Sequence, residues 1–205
     1  MKKAFSIVIV VCLAFGVAFA AKGAVKVGGQ IGFGIENISM KKSPYGLNMS
    51  KNGFYLAATG EYGITNEILC KAEFGFATGA SKHKTTVDGE EFSSSTYDAP
   101  INFFGYVGGE YSIEINKQIN ILAGAGLDFG FGKLADYYDD GDFRLGAAVE
   151  AAGVYNINKG LDVRLGARFA FYFLDSNSEL KNVYDAYDNH SHFGLKIFAG
   201  CTYAF

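Results

Sequence analysis

Phe193-Gly-Leu-Lys-Ile-Phe-Ala-Gly-Cys-Thr-Tyr-Ala-Phe205 is the stretch whose reading decides the fold. Taken in steps of two, Phe193, Leu195, Ile197, Ala199, Cys201, Tyr203 and Phe205 form an apolar row. The other parity, Gly194, Lys196, Gly200, Thr202 and Ala204, is small or polar, with Phe198 as the exception. Successive side chains of a β-strand point to opposite faces, so this sustained period of two predicts a strand with one greasy face. The row closes on Phe205 with no polar tail, which suits a strand whose outer face meets lipid and an aromatic belt.

Seven more segments carry the same alternation. Val27, Ile31, Phe33 and Ile35 oppose Lys26, Gln30 and Glu36 in Val25 to Glu36. Phe54, Leu56, Ala58, Tyr62 and Ile64 oppose Tyr55, Thr59 and Glu61 in Gly53 to Ile64. Cys70, Ala72, Phe74 and Phe76 oppose Lys71, Glu73 and Gly75 in Ile68 to Thr78. The pattern recurs in Ile101 to Ile113 (inner candidates Asn102, Tyr106, Glu110), Ile119 to Phe131 (Asn120, Asp128), Phe143 to Ile157 (Arg144, Glu150) and Leu161 to Phe173 (Asp162, Arg164, Arg168). No amphipathic helix lies between them, and the two prolines, Pro44 and Pro100, fall in a polar segment and at a strand start. The expected class is all-β, as one domain.

Connections alternate in length. Thr65 to Glu67, Glu114 to Gln118 and Asn158 to Gly160 are short; Asn37 to Asn52, Gly79 to Ala99, Gly132 to Asp142 and Asp175 to Ser191 are long, polar and read as loops. Within the second, Asp88-Gly89 between β-prone runs predicts a hairpin that lengthens its strands. Every second strand also ends in Tyr-x-apolar, at Tyr62, Tyr111, Tyr155 and Tyr203, spaced 49, 44 and 48 residues. A tyrosine recurring at one depth reads as a girdle, where ring meets acyl chain and hydroxyl meets water; Phe205 joins it.

The other end of the chain sets the compartment. Lys2 and Lys3 precede an apolar run from Ala4 to Phe19, and Ala18-Phe19-Ala20 supplies small residues for cleavage, so 1–20 is expected to be a secretory signal peptide and 21–205 the mature domain. Cys12 follows Val11, which argues against lipidation. Losing Lys2 and Lys3 takes the formal charge from −3 to −5, so no nucleic-acid partner is expected. Cys70 and Cys201 remain, too few for a disulfide framework, and belong to strands that are not neighbours.

The polar parity decides which face is inside. It is rich in Gly and Ala and carries Glu36, Glu61, Glu73, Glu110, Asp128, Glu150 and Asp162 against Lys26, Lys71, Arg144, Arg164, Arg168 and Lys196. A water-facing surface needs neither the near balance nor the glycines. A narrow lumen needs both, because side chains must fill it and buried charge must be paired. The expected architecture is an eight-stranded antiparallel up-and-down transmembrane β-barrel with an ion-pair network inside and lipid outside.

These features together resemble the small bacterial outer-membrane barrels of the OmpA-barrel, OmpX and opacity-protein type, over Ala24 to Phe205. Gly200, Tyr203 and Phe205 are similar to the C-terminal signal such proteins present to the outer-membrane insertion machinery; Phe198 departs from it, a polar residue being usual there. The resemblance implies an outer-membrane location with both termini in the periplasm, long loops outside, and partners among lipid, the insertion machinery and an extracellular or host ligand met by the loops.

Chemistry is sparse. His190-Ser191-His192 near Asp185 and Asp188 has a metal-like spacing but reads as a solvated loop, as does His83 in the second connection. Ser191 and His192, adjacent in a strand, point apart and make a poor nucleophile–base pair. Asp136-Tyr-Tyr-Asp-Asp-Gly-Asp142 lacks the spacing and closing Glu of a calcium loop. No catalytic, metal or cofactor site is expected. The expected role is structural or surface-interactive and carried by the loops; the alternatives are a small lipid-modifying enzyme and a narrow gated pore.

Overall fold

The computed structural model describes residues 25–132, 142–158, 160–175 and 189–205. The expected leader and nearly all of the Asp136 to Asp142 stretch lie outside them, as do Asp185 and Asp188. Eight strands follow in chain order: β1 (Val25–Lys42), β2 (Tyr45–Gly63), β3 (Ile68–Val87), β4 (Glu90–Glu114), β5 (Ile119–Gly132), β6 (Asp142–Asn156), β7 (Leu161–Asp175) and β8 (Asn189–Ala204). Each is antiparallel to its neighbours, and β1 pairs with β8 from Lys26↔Ala204 to Lys41↔Asn189, closing the barrel. Closure leaves no sheet edge in the bilayer, where an unpaired backbone group has no water to turn to.

Three short turns at one end share one construction. Ile64, Ile115 and Ile157 donate their N–H to the carbonyls of Ile68, Ile119 and Leu161 at 2.8, 2.9 and 2.9 Å. Inside each turn one side-chain oxygen, of Thr65, Asn116 or Asn158, accepts two backbone N–H groups at 2.9–3.1 Å. Such Asx- and Ser/Thr-type caps satisfy the donors a tight turn leaves over. Tyr111, Tyr155, Tyr203 and Phe205 are exposed beside this end, and Tyr62 is half-buried opposite Val25.

The opposite end departs from expectation. Asn37 to Asn52 is not a loop: β1 and β2 stay paired to Lys42↔Tyr45, turning through Ser43-Pro44 alone. Gly79 to Ala99 is a ladder as well, here as its hairpin signature predicts: Asp88 and Gly89, with φ of 51° and 85°, make the two-residue turn. The two hairpin tips are tied where Asp88 N–H donates to the Pro44 carbonyl at 2.8 Å. Polar composition suggested loops, but the polarity belongs to a sheet that has left the bilayer.

The side-chain pattern records that exit. On β1 the lipid-side parity runs Phe33, Ile35, then Asn37, Ser39 and Lys41; on β2 it runs Phe54, then Asn52, Ser50 and Asn48. On β3 Phe74 and Phe76 give way to Lys82 and Lys84. The inward parity inverts with it, from Gln30 and Glu36 to Ile38, Met40 and Met49, all buried. Below the line the barrel is greasy outside and charged inside; above it the order is that of a protein in water. We call the upper part of β1–β4 the extension.

Candidate functional site

The described residues hold two features with chemical content, the filled lumen and the extension. In the lumen the alternation turns the polar parity of all eight strands inward. Lys71, Glu73, Glu110, Asp128, Glu150, Arg164 and Arg168 are all buried, Arg168 to 1% exposure. Arg168 is the hub. Its Nε donates to Glu150 Oε2 at 2.7 Å, its Nη1 and Nη2 donate to the two carboxylate oxygens of Glu73 at 3.2 and 2.5 Å, and its Nη1 lies 3.5 Å from Asp128 Oδ2. The planar fork suits this bidentate work, and the guanidinium also lies 3.9 Å from the centroid of the Tyr106 ring.

Lys71 Nζ bonds Glu150 and sits 3.3 Å from Glu110 and 3.9 Å from Glu73. Arg164 pairs with Glu61 and stands 3.8 Å from Glu110. Lys196 donates to Asp128 Oδ2 at 2.8 Å, and the Tyr172 hydroxyl donates to Asp128 Oδ1 at 2.9 Å. Lys26 pairs with Asp162 at the end bearing the short turns. Toward the extension, Arg144 Nε lies 3.0 Å from Glu36 Oε1, which His192 Nε2 also meets at 2.7 Å. All thirteen charged residues read from the sequence as lumen candidates therefore lie in ion pairs.

Aromatic bulk closes the remaining space. Tyr55 and Phe104 meet edge to face at 5.2 Å, and buried Phe198 shares their cluster with Leu122 and Val154. Glycines on facing strands admit these rings: a Cβ on Gly166 would fall 2.6 Å from the Phe198 ring, and one on Gly32 would fall 2.6 Å from the Tyr55 ring. Phe198, which breaks the polar parity, is thus a core side chain of the lumen. The space left beside Glu36, Tyr55, Asn102, Asp128 and Arg144 amounts to about 60 Å³, room for a few waters.

His192 corrects the expectation of a solvated loop. It is buried against Glu36, its ring 4.5 Å from that of Tyr172, while Ser191 takes the opposite parity of β8. No nucleophile–base pair forms there. Among the described residues no three His, Cys, Asp or Glu side chains are grouped to hold a metal. His83 likewise lies within β3, edge to face with Tyr97 at 5.2 Å. Cys70 and Cys201 are free thiols.

Outside, aromatic rings pair around the belt: Phe33 against Phe54, Phe74 stacked on Phe103, Phe129 against Phe131, Phe169 stacked on Phe193. Phe54 and Leu165 are 72% and 65% exposed. Rings in such numbers facing outward around a charged interior define a transmembrane β-barrel of the outer-membrane class.

Solved structures agree on the fold. The chain is similar to Neisserial surface protein A, with a TM-score of 0.57 at 13% identity over 90% of this chain and 100% of that one. It is also similar to the N-terminal β-barrel domain of Pseudomonas aeruginosa OprF (0.50, 10% identity, 90% and 100% covered) and to the outer-membrane protein OprG of Pseudomonas aeruginosa (0.50, 12%, 89% and 97%). No family model and no curated protein matches the chain.

Proposed function

We propose that this outer-membrane barrel works through its surface, and that the β1–β4 extension is its working part. The observation that carries this is the inverted side-chain pattern of the extension: Asn37, Ser39, Asn48, Ser50, Lys82 and Lys84 outward, Ile38, Met40 and Met49 inward. A segment that only closed a barrel would need no such water-adapted sheet. In this reading the short turns and both termini face the periplasm and the extension faces outward, following the length asymmetry of bacterial barrels. Tyr62, Tyr111, Tyr155, Tyr203 and Phe205 then form the periplasmic girdle. Gly200, Tyr203 and Phe205 are the residues the insertion machinery meets.

Conduction and catalysis are disfavoured by the same geometry. The lumen is crossed by salt bridges and filled by Tyr55, Phe104, Tyr106 and Phe198, and the ion-pair network is a packing solution, not a paired-carboxylate site. The test is a chain with both hairpins of the extension shortened to two-residue turns just above Ile35 and Phe76. It is expected to insert and fold as the parent does, to lack conductance in planar bilayers as the parent does, and to lose attachment of expressing cells to surfaces or to one another. Attachment unchanged by shortening, or conductance from the parent, overturns the reading.

A further inference from the structure

Glycine serves two ends in this lumen. At Gly32 and Gly166 a Cβ would collide with the Tyr55 and Phe198 rings, so those glycines make way for side chains. Gly34 makes way for none: a Cβ there would meet only Lys196 Cγ at 3.6 Å and the Leu195 carbonyl oxygen at 3.8 Å, both ordinary contacts. It stands opposite Gly53 of β2, and both line the cavity of about 60 Å³ at the foot of the extension.

Two side chains on the wall of that cavity carry polar atoms with no hydrogen-bond partner among the described residues. Asn102 of β4 is 1% exposed, and neither its amide nitrogen nor its amide oxygen is satisfied. The hydroxyl of buried Tyr55 on β2 has no partner either. Burial without a partner is costly, and native interiors seldom leave such groups without water or a ligand to meet them. The backbone also bends beside Asn102. The β3–β4 register reaches Ala77↔Asn102 and resumes at Gly79↔Ala99, a step of two on β3 against three on β4. Bulges of this kind re-aim side chains next to sites.

Charge selects the ligand. Lys51, Arg144 and Lys196 line the cavity with Glu36 and Asp128, three cations against two carboxylates. Both carboxylates are engaged by the barrel itself: Arg144 and His192 meet Glu36, and Lys196 and the Tyr172 hydroxyl meet Asp128. We propose that this cavity binds one small monovalent anion, a halide or a short carboxylate, with the Asn102 amide N–H and the Tyr55 O–H as its neutral donors. An ion of that size replaces the few waters the space would hold, and its charge offsets the positive balance of a wall withdrawn from water. Its ligands come from β2, β4, β6 and β8, so it joins four strands where the bilayer-spanning barrel hands over to the extension. A ligand that binds only the folded chain stabilises it by mass action.

The test uses the full chain refolded into phosphatidylcholine vesicles at constant ionic strength. Sodium bromide or sodium formate is exchanged for sodium gluconate, whose anion is too bulky for the cavity. The denaturant midpoint is expected to rise with bromide or formate and to saturate. Asn102→Asp keeps the volume but replaces an amide donor with a like charge, and is expected to weaken this response by roughly tenfold or more; a bound cation would be held more tightly. Gly34→Val, whose branches enter the cavity, is expected to abolish the response while protease resistance shows the barrel folded. In crystals of the parent chain grown with bromide, anomalous scattering is expected to place the ion beside Asn102. Should Asn102→Asp not fold, Gly34→Val and the scattering decide. No saturable difference between bromide or formate and gluconate, which is the outcome if the cavity holds water alone, overturns the proposal. So does a response that Asn102→Asp strengthens or either variant leaves unchanged, or bromide found only away from Asn102.

Discussion

Arg168 of β7 and Glu73 of β3 stand four strands apart, on opposite walls of the barrel and 95 residues apart in sequence, yet join through two hydrogen bonds of 3.2 and 2.5 Å. A fork that also holds Glu150 binds three strands across the lumen. Removing one partner of such a group costs more than the pair itself contributes, because the carboxylates left behind remain buried and uncompensated.

Arg168→Ala is accordingly expected to destabilise the folded barrel by about 3–5 kcal/mol. Arg168→Lys should recover part of this, keeping the charge and losing the fork. Reversible denaturant unfolding in lipid vesicles measures both, and a change under about 0.5 kcal/mol for Arg168→Ala would remove the hub role.

The lipid face should reject charge. Val149 is exposed, lies within the apolar belt and pairs with Phe169 of β7. Val149→Arg is expected to cost about 2–4 kcal/mol in the same assay, whereas Lys82→Arg, above the belt, should be close to neutral.

The upper rim of the belt is open to labelling. With the native thiols replaced by Ala, single cysteines at Ser39, Asn48 and Asn52 are expected to react with a charged maleimide in intact vesicles, and cysteines at Phe33 and Phe54 are not. In the parent, exposed Cys201 should react with a membrane-soluble thiol reagent and resist the charged one. Equal labelling of Asn52→Cys and Phe54→Cys would displace the boundary.

Acid should loosen the β3–β4 hairpin. Burial holds the His83 ring below its ordinary value of 6.5, so below that pH the opened hairpin binds more protons than the closed one and closure weakens. Lys84 holds the Glu91 carboxyl below its ordinary value of 4.5 through a hydrogen bond and its charge. That contribution is lost in turn as pH falls through the carboxylate range, and both changes have the same sign. Hydrogen exchange of residues 81–96 should rise as pH drops below about 6.5, and His83→Gln should delete this first step alone.

Much of the barrel was legible because a strand in a bilayer obeys two solvents at once: Leu165 must face lipid and Arg164 must face its partners, and a period of two follows. The partners themselves were not legible. That Arg164 meets Glu61, or Arg168 meets Glu73, depends on barrel stagger, to which no local pattern responds. The β3–β4 arm of the extension was legible from Asp88-Gly89, but the β1–β2 arm was misread as a loop because its apolar residues sit on the other parity. Ile38 and Met40 follow Phe33 and Ile35 out of phase, and Met49 precedes Phe54 likewise. That phase slip, not a loss of periodicity, was the signal available. Lys51 and His192 were missed as lumen residues because both were taken for loop residues, whereas Asn102, on the inward parity of its segment, was not.

The unbroken run of β1 to β4 from bilayer into solvent has a cost for how this surface can change. A loop absorbs an inserted residue; the β1–β2 ladder, which runs without a register shift, does so only by forming a bulge, since one extra residue otherwise swaps the faces of everything beyond it, turning Met40 out and Lys41 in. Change on this half of the molecule therefore comes by exchange of one outward side chain for another, or by lengthening in matched pairs on both arms of a hairpin. Diversity here is written in steps of two.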